Sequence, residues 1–171
     1  MKKIISGAAL ACLLMASAAP AAEKRIFVDP DAPVYTNREY GFVLKLPPGQ
    51  WGGLQMEDRS GARFSDAADG DTEYTEVRAY AFPRGKATAA RMFAEEAKGY
   101  REILKEEMFP GDEGFALTAL SPQGWYVYVR YFIGKDAVNV LAVSSAPEQK
   151  PTFDYTVPEV SRAFRPGFGR R

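Results

Sequence analysis

The sequence of 171 residues contains no histidine and a single cysteine, Cys12, which lies in an apolar segment near the N-terminus. Beyond that segment the chain cannot be held by a disulfide or by a structural zinc site. It also lacks an imidazole base and a thiolate nucleophile. The fold must therefore depend on a hydrophobic core, and the sequence predicts no catalytic residue and no cofactor.

The first 22 residues have the pattern of a secretion signal. Two lysines follow the initial methionine, residues 4–15 form an apolar centre, and the small residues of 16–21 offer a processing site. We predict cleavage near Ala18 to Ala22 and a periplasmic or secreted protein with no membrane span after cleavage. An uncleaved membrane anchor and a lipoprotein modified at Cys12 are the alternatives.

The rest of the chain has the size of one domain. Roughly 150 residues bury about two thirds of their unfolded surface, which is enough without covalent cross-links. The sequence has 22 basic and 22 acidic residues, and losing the leader lysines leaves it slightly acidic, which favours neither nucleic acid nor an anionic membrane as a partner. The predicted organisation is a signal peptide at 1–22, an extended lead-in at 23–34, an α+β domain at 35–166 and a basic C-terminal tail at 167–171.

Alternating apolar and polar residues predict an antiparallel sheet. The connections between the last three strands are too short for any but antiparallel neighbours. Both faces of the strand at 125–133 are largely apolar, which predicts a central strand covered on both sides. Strands are predicted over residues 40–46, 62–66, 73–82, 115–120, 125–133 and 137–144.

Two further segments are typical of helices. From Thr88 to Glu107 apolar residues recur every three or four positions, which predicts one long helix with Thr88 as its N-cap. Near the C-terminus, Thr156 is placed to cap a short helix with Pro158 in its first turn and Glu159 in a capping box. The predicted fold class is therefore α+β, a twisted antiparallel sheet flanked by one long amphipathic helix and a short C-terminal helix.

Three short sequence motifs occur in an order that is typical of a known family. Phe42–Pro47, followed by Trp51, ends the first strand; Trp125–Tyr128 lies in the later strands; and Ala163–Pro166 closes the domain. In this respect the chain resembles the PsbP-like family, which includes the extrinsic photosystem II protein, Ran-binding Mog proteins and DcrB-like envelope proteins. The resemblance implies a protein that binds or assists other proteins, and the leader favours the envelope branch. No contact residue of the family can be placed on this sequence.

An acidic loop offers oxygen ligands that could hold a calcium ion. Its spacing does not match that of an EF-hand, and acidic loops between strands are usually solvated. We therefore predict no metal site. The weak candidates are Asp66, Asp69, Asp71 and Glu73.

Aromatic residues are the best candidates for a binding surface. Those that remain exposed on a sheet face could contact a protein or a glycan, while the others fill the core. The neighbouring Tyr131 and Phe132 belong to the same aromatic group. The candidates are Trp51, Trp125, Tyr126 and Tyr128.

Two pairs of adjacent glutamates, Glu95–Glu96 and Glu106–Glu107, could in principle supply the acid and base of a glycoside hydrolase. Neighbours in a helix point in different directions, so we interpret both pairs as the solvated side of the long helix. Ser121 and Ser144–Ser145 have no imidazole that could activate them.

We predict a non-enzymatic accessory or binding protein of the bacterial envelope that acts by contact with an unidentified envelope protein. Two alternatives stay open. One is a small-ligand-binding module with a pocket between sheet and helix, and the other is a hydrolase that uses carboxylate chemistry.

Overall fold

A computed structural model describes residues 24–67 and 72–167. Within these ranges the chain forms a large antiparallel sheet of eight strands, a small sheet of two strands and two α-helices. The predicted α+β class is confirmed. The predicted signal peptide and residues 168–171 of the predicted tail lie outside the described residues.

The strands of the large sheet are β1 (Arg25–Ile26), β4 (Gly52–Gln55), β5 (Gly61–Ser65), β6 (Thr75–Pro83), β7 (Glu102–Phe109), β8 (Gly114–Leu120), β9 (Tyr126–Ile133) and β10 (Ala137–Ser145). Their spatial order is β1-β4-β5-β6-β10-β9-β8-β7, and every neighbouring pair is antiparallel. The small sheet pairs β2 (Val34–Thr36) with β3 (Val43–Lys45). The three strands predicted near the C-terminus, β8 to β10, are therefore confirmed as antiparallel neighbours.

Different helices cover the two faces of the large sheet. On one side, which we call the α1 face, the helix α1 (Ala89–Ala97) packs Met92 and Phe93 against Phe115. On the other, the α2 face, the helix α2 (Lys150–Ala163) and the β2–β3 hairpin pack against β6, β9 and β10. Strand β9 has hydrophobic core on both sides, as predicted. Tyr131 belongs to the core cluster on the α1 face, and Phe132 packs against the core cluster on the α2 face.

The prediction of one long helix is wrong beyond Ala97. Its start is confirmed, since the Thr88 hydroxyl accepts a hydrogen bond of 3.3 Å from the Arg91 backbone N–H. The chain then turns through Gly99, and Glu102–Phe109 becomes strand β7, which pairs along the whole of β8. Glutamate, lysine, leucine and methionine favour helices, but tertiary pairing with an open strand edge outweighs this preference.

The C-terminal helix is longer than predicted, and its predicted cap is wrong. Helix α2 begins at Lys150, so Thr156 and Pro158 lie inside it. Thr156 is 1% exposed and faces the core. The apolar stripe begins earlier than the proposed cap, at Phe153, and its burial against the sheet extends the helix toward its N-terminus.

Both ends of the described chain are tied to the sheet. The predicted lead-in contains β1, which pairs with β4. At the other end Gly167 exchanges two hydrogen bonds with the Asn139 side chain, of 2.7 and 3.2 Å. Neither helix of the described ranges is long and apolar enough to cross a membrane.

Candidate functional site

An open groove of about 310 Å³ lies on the α2 face above β7, β8 and β9. Val157 of α2 forms part of one side, and β7, the last strand of the sheet, forms the other. No helix of the described ranges covers the sheet here, because α2 lies over its centre. The residues that line the groove on the α2 face are Lys105, Glu107, Phe109, Ala116, Thr118, Tyr128, Arg130 and Val157.

The strand register arranges these side chains in rows. Opposite residues of antiparallel strands point to the same face of the sheet. Glu107, Ala116 and Arg130 form one row across β7, β8 and β9. Neighbouring strands are about 5 Å apart, so Glu107 and Arg130 are separated by the width of two strands with only a methyl group between them. The groove therefore passes between a carboxylate and a guanidinium, and Ala116, which is only 7% exposed, forms part of its floor.

Arg130 is positioned by aromatic rings. Its guanidinium carbon lies 4.8 Å from the ring centre of Phe109 and 4.5 Å from that of Phe132. These rings belong to one cross-strand row in which Gly114 stands between them, so no side chain separates them there. Each such cation–π contact contributes about 0.5–2 kcal/mol and holds the side chain in one orientation.

The same guanidinium has no acceptor among residues 24–67 and 72–167. Its Nε atom is buried without a hydrogen-bond partner, and Arg130 forms no ion pair with any residue in the described part of the chain. A buried donor that lacks an acceptor costs about 1–3 kcal/mol, and such a group calls for an explanation. Arg130 is thus oriented by two rings, but no carboxylate in the described part of the chain neutralises its charge.

The next row of the groove also carries hydrogen-bond donors. It consists of Lys105, Thr118 and Tyr128. Within residues 24–67 and 72–167 these three side chains have no hydrogen bond or ion pair. The groove therefore presents four donor groups, including Arg130, and two carboxylates, those of Glu106 and Glu107.

The opposite corner of the sheet contains a second, smaller cleft of about 200 Å³, on the α1 face above β4, β5 and β6. Here two arginines lie beside a buried acid. The Glu76 carboxylate contacts the Arg78 Nε atom and lies 3.9 Å from the Arg63 Nη1 atom. Glu76 is only 5% exposed, so in this cleft the protein supplies its own counter-charge.

The first predicted glutamate pair is divided between solvent and sheet. Glu95 is exposed and accepts a hydrogen bond of 2.9 Å from Lys98. The prediction that Glu95 lies on the solvated side of the helix is confirmed. Glu96 points toward the sheet, where its carboxylate accepts hydrogen bonds from the hydroxyls of Tyr131 (2.6 Å) and Tyr100 (2.5 Å). For Glu96 the solvated interpretation is wrong, because it attaches α1 to the sheet.

Two tyrosines near Glu96, Tyr80 and Tyr131, have raised pKa values, mainly because they are buried. Burial, with a smaller contribution from the Glu96 carboxylate, raises the pKa of Tyr80 to about 12. Burial, the neighbouring Tyr80 hydroxyl and Glu96 together raise the pKa of Tyr131 well above its usual range. Both hydroxyls stay protonated at neutral pH, and that of Tyr131 donates its hydrogen bond to Glu96 on α1.

The second glutamate pair lies on a strand and not on a helix. Consecutive strand residues point to opposite faces, so Glu107 lies on the α2 face, while Glu106 belongs to the other face and borders the groove at the edge of the sheet. The predicted serines serve in local structure: Ser145 shares a hydrogen bond of 2.7 Å with Thr75, and the Ser121 hydroxyl accepts one of 3.1 Å from the Trp125 N–H.

The four predicted binding aromatics lie in different surroundings. The Trp51 indole donates a hydrogen bond of 3.0 Å to the Pro47 carbonyl. Trp125 packs edge-on against Tyr74, with ring centres 5.0 Å apart. The Tyr126 ring lies beneath the Lys150 ammonium at the start of α2, at 5.3 Å. Tyr128 is the member of the set that lines the groove.

The acidic loop is described only in part. The Asp66 carboxylate accepts a hydrogen bond of 2.7 Å from the Thr75 N–H, and Glu73 is exposed. Asp69 and Asp71 lie outside the described residues. Among residues 24–67 and 72–167, no group of three or more acidic side chains is close enough together to hold a metal ion.

The sequence predictions missed Arg130 and Phe109. Arg130 is the charged residue in a strand whose two faces are otherwise apolar, from Tyr126 to Ile133, and this was the available signal. Its contact with Phe109 could not be found without knowing that Glu102–Phe109 is a strand two positions away in the sheet.

No protein-family model matches this chain, and no curated protein has a significant match to it. The resemblance to the PsbP-like family stays a prediction from the sequence.

Proposed function

We propose that this chain is an exported, non-enzymatic binding protein of the bacterial envelope, and that it holds a segment of a partner protein in the groove beside α2. The observation that carries the proposal is Arg130, a guanidinium that two phenyl rings orient in an open groove and that has no acceptor in the described part of the chain. Recognition sites combine apolar surface with a few polar groups of fixed direction. The PsbP-like resemblance and the predicted leader support the same class of function and its location.

A protein segment suits the shape of this site. The groove is open on the side of β7, and β7 pairs with a single described strand, β8. The same strand exposes Leu104 and Met108, at 46% and 47%. A partner that occupies the groove could therefore continue over the edge of the sheet and bury these residues, which gives a larger contact area than the groove alone.

A small molecule is the second candidate occupant. A volume of about 310 Å³ is at the lower end of the range for small-ligand pockets, about 300–1,000 Å³. In that case the purified chain should gain melting temperature when a small ligand is added, because ligands that bind the native state stabilise it. The groove should then capture no protein in cells.

Photo-cross-linking in intact cells tests the proposal. A photo-reactive amino acid is introduced at Lys105 or Thr118 in the groove, and as a control at Arg91, an exposed residue of α1. We expect both groove positions to form an adduct with the same protein, and Arg91 to form none with it. That protein, once identified and purified, should bind the chain in solution. Equal capture from Arg91, or no protein captured from either groove position, would contradict the proposal.

A further inference from the structure

We infer that the groove recognises a carboxylate of the partner segment and that Arg130 binds this carboxylate. The inference rests on the proposed function and adds the chemistry of the occupant. It follows from the charges that the sheet places at its two open corners.

In the cleft on the α1 face, a carboxylate of the chain itself neutralises the charge of the arginines. Arg63 and Arg78 lie on the sheet surface beside Glu76, which is buried and contacts Arg78. Arg130 also lies on the sheet surface, yet no carboxylate of the described residues is within ion-pair distance of it. A partner that brings an acceptor would satisfy Arg130, which no acceptor in the described part of the chain does.

The groove has room for such an acceptor. Its volume is about 310 Å³, and Arg130 and Glu107 both line it on either side of the largely buried Ala116, so a ligand atom in the groove can approach the guanidinium. The neighbouring donors, Thr118 and Tyr128, stand one row away on the same face. The guanidinium leans toward Phe109 and Phe132, so an anion bound to it would lie on the side of the groove away from Thr118 and Tyr128, whose hydroxyls are left for other groups of the same segment.

Carboxylate is the anion that this arrangement favours within a protein segment. A guanidinium presents parallel N–H donors whose spacing matches the two oxygens of a carboxylate. The rings of Phe109 and Phe132 fix the guanidinium and lower the local dielectric, which strengthens a charged hydrogen bond. An acidic side chain or a C-terminal carboxylate of the partner would supply the same group.

Nuclear magnetic resonance titration of the leaderless chain tests the inference. The probes are N-acetylphenylalanine for a terminal carboxylate, N-acetylglutamic acid α-amide for a side-chain carboxylate, N-acetylphenylalanine amide as the neutral control, and inorganic phosphate. We expect one or both carboxylates to shift resonances of β7, β8, β9 and the Arg130 side chain, and the amide to leave them unchanged.

Three variants assign the effect to Arg130. Arg130→Gln should weaken carboxylate binding by about tenfold to a hundredfold, as expected for a lost hydrogen bond to a charged group. Arg130→Lys keeps the charge without the paired donors and should bind more weakly than the original chain but better than Arg130→Gln. Arg162→Gln, on the exposed side of α2, should bind like the original chain. Thermal unfolding of each variant establishes that it is folded.

Several results would overturn the inference: no carboxylate binding at millimolar concentration, shifts confined to another part of the sheet, equal binding by folded Arg130→Gln, or binding of phosphate at Arg130 without either carboxylate. Protein capture at Lys105 together with any of these would refute the carboxylate assignment and leave the proposed function standing. Carboxylate binding without protein capture would do the reverse.

Discussion

The two open corners of the large sheet contain arginines in contrasting surroundings. On the α1 face, Arg63 and Arg78 lie beside the buried Glu76 in a shallow cleft over β4, β5 and β6. On the α2 face, Arg130 lies in a larger groove over β7, β8 and β9, between the rings of Phe109 and Phe132. Each corner is open because the helix on that face covers only the other part of the sheet.

This difference separates a structural charge cluster from a candidate binding site. Glu76 is buried while its two arginines are partly exposed, so removing an arginine leaves a buried charge less well compensated and is costly. An arginine held by rings leaves its donors available to an external acceptor. Substitutions in the corner with Glu76 should therefore lower stability, and substitutions in the corner with Arg130 should weaken binding.

Alkaline pH should have the largest effect on stability, and it acts on the covered part of the α1 face. In the unfolded chain a tyrosine ionises near pH 10, whereas Tyr80 in the folded protein ionises near 12 and Tyr131 still higher. The unfolded state releases its protons first, so the stabilisation is complete below pH 10 and is lost as the pH rises above it. Each tyrosine should lower the free energy of unfolding by about 1.4 kcal/mol per pH unit between pH 10 and 12.

Urea unfolding at several pH values measures this loss. The matched control is Tyr80→Phe, whose stability should fall less steeply because one of the two tyrosines no longer titrates. An identical slope for Tyr80→Phe and the original chain would contradict the assignment.

Arg78→Gln tests the corner on the α1 face, where Glu76 neutralises two arginines. Glu76 would stay buried with only the more distant Arg63 near it, so the free energy of unfolding should fall by about 2 kcal/mol, less than for a fully buried pair because Arg78 is partly exposed. Chemical denaturation gives the value. The double variant Glu76→Gln with Arg78→Gln should recover part of the loss, and additive losses would show that the two side chains are not coupled.

Arg130→Gln tests the corner on the α2 face and should lower the free energy of unfolding less than Arg78→Gln does. It removes two cation–π contacts but also a buried Nε atom without an acceptor, so we expect a loss below about 1 kcal/mol. The same denaturation experiment applies. If Arg130→Gln destabilised the protein as much as Arg78→Gln, the contrast between the corners would disappear and Arg130 would be a structural residue.

Thr118→Val should have the smallest effect of the four. The substitution keeps the shape of a partly buried side chain on the groove floor and removes a hydroxyl without a partner in the described residues, so stability should stay within about 0.5 kcal/mol. A larger loss in thermal or chemical unfolding would show that the hydroxyl already has a structural role. Such a role would weaken the description of the groove floor as available surface.

Much of the sheet could be predicted from local patterns. Val77, Ala79 and Ala81 alternate with Arg78, Tyr80 and Phe82, and the first three are fully buried on the α2 face. The alternation carries this information because strand side chains point to opposite faces. Short connections likewise fixed the antiparallel order of β8, β9 and β10.

The errors lie where two structures fit the same local pattern. Residues 102–107 satisfied a helical spacing, but Glu102–Phe109 pairs with β8 as strand β7. Thr156, Pro158 and Glu159 have the order of a helix start, yet the buried stripe of α2 begins earlier, at Phe153. In both cases contacts with distant residues outweighed the local preference.

By itself, the sequence determined that no disulfide can hold the described domain together and which faces of β6 and β9 are apolar, because these properties depend on residue type and spacing. Only the tertiary structure decided that Phe109 and Phe132 meet at Arg130, that Glu76 lies beside Arg78 and Arg63, and that Ala116 stands between Arg130 and Glu107. The reason is physical: charge neutralisation and open space depend on which strands become neighbours, and residues far apart in the chain decide that order.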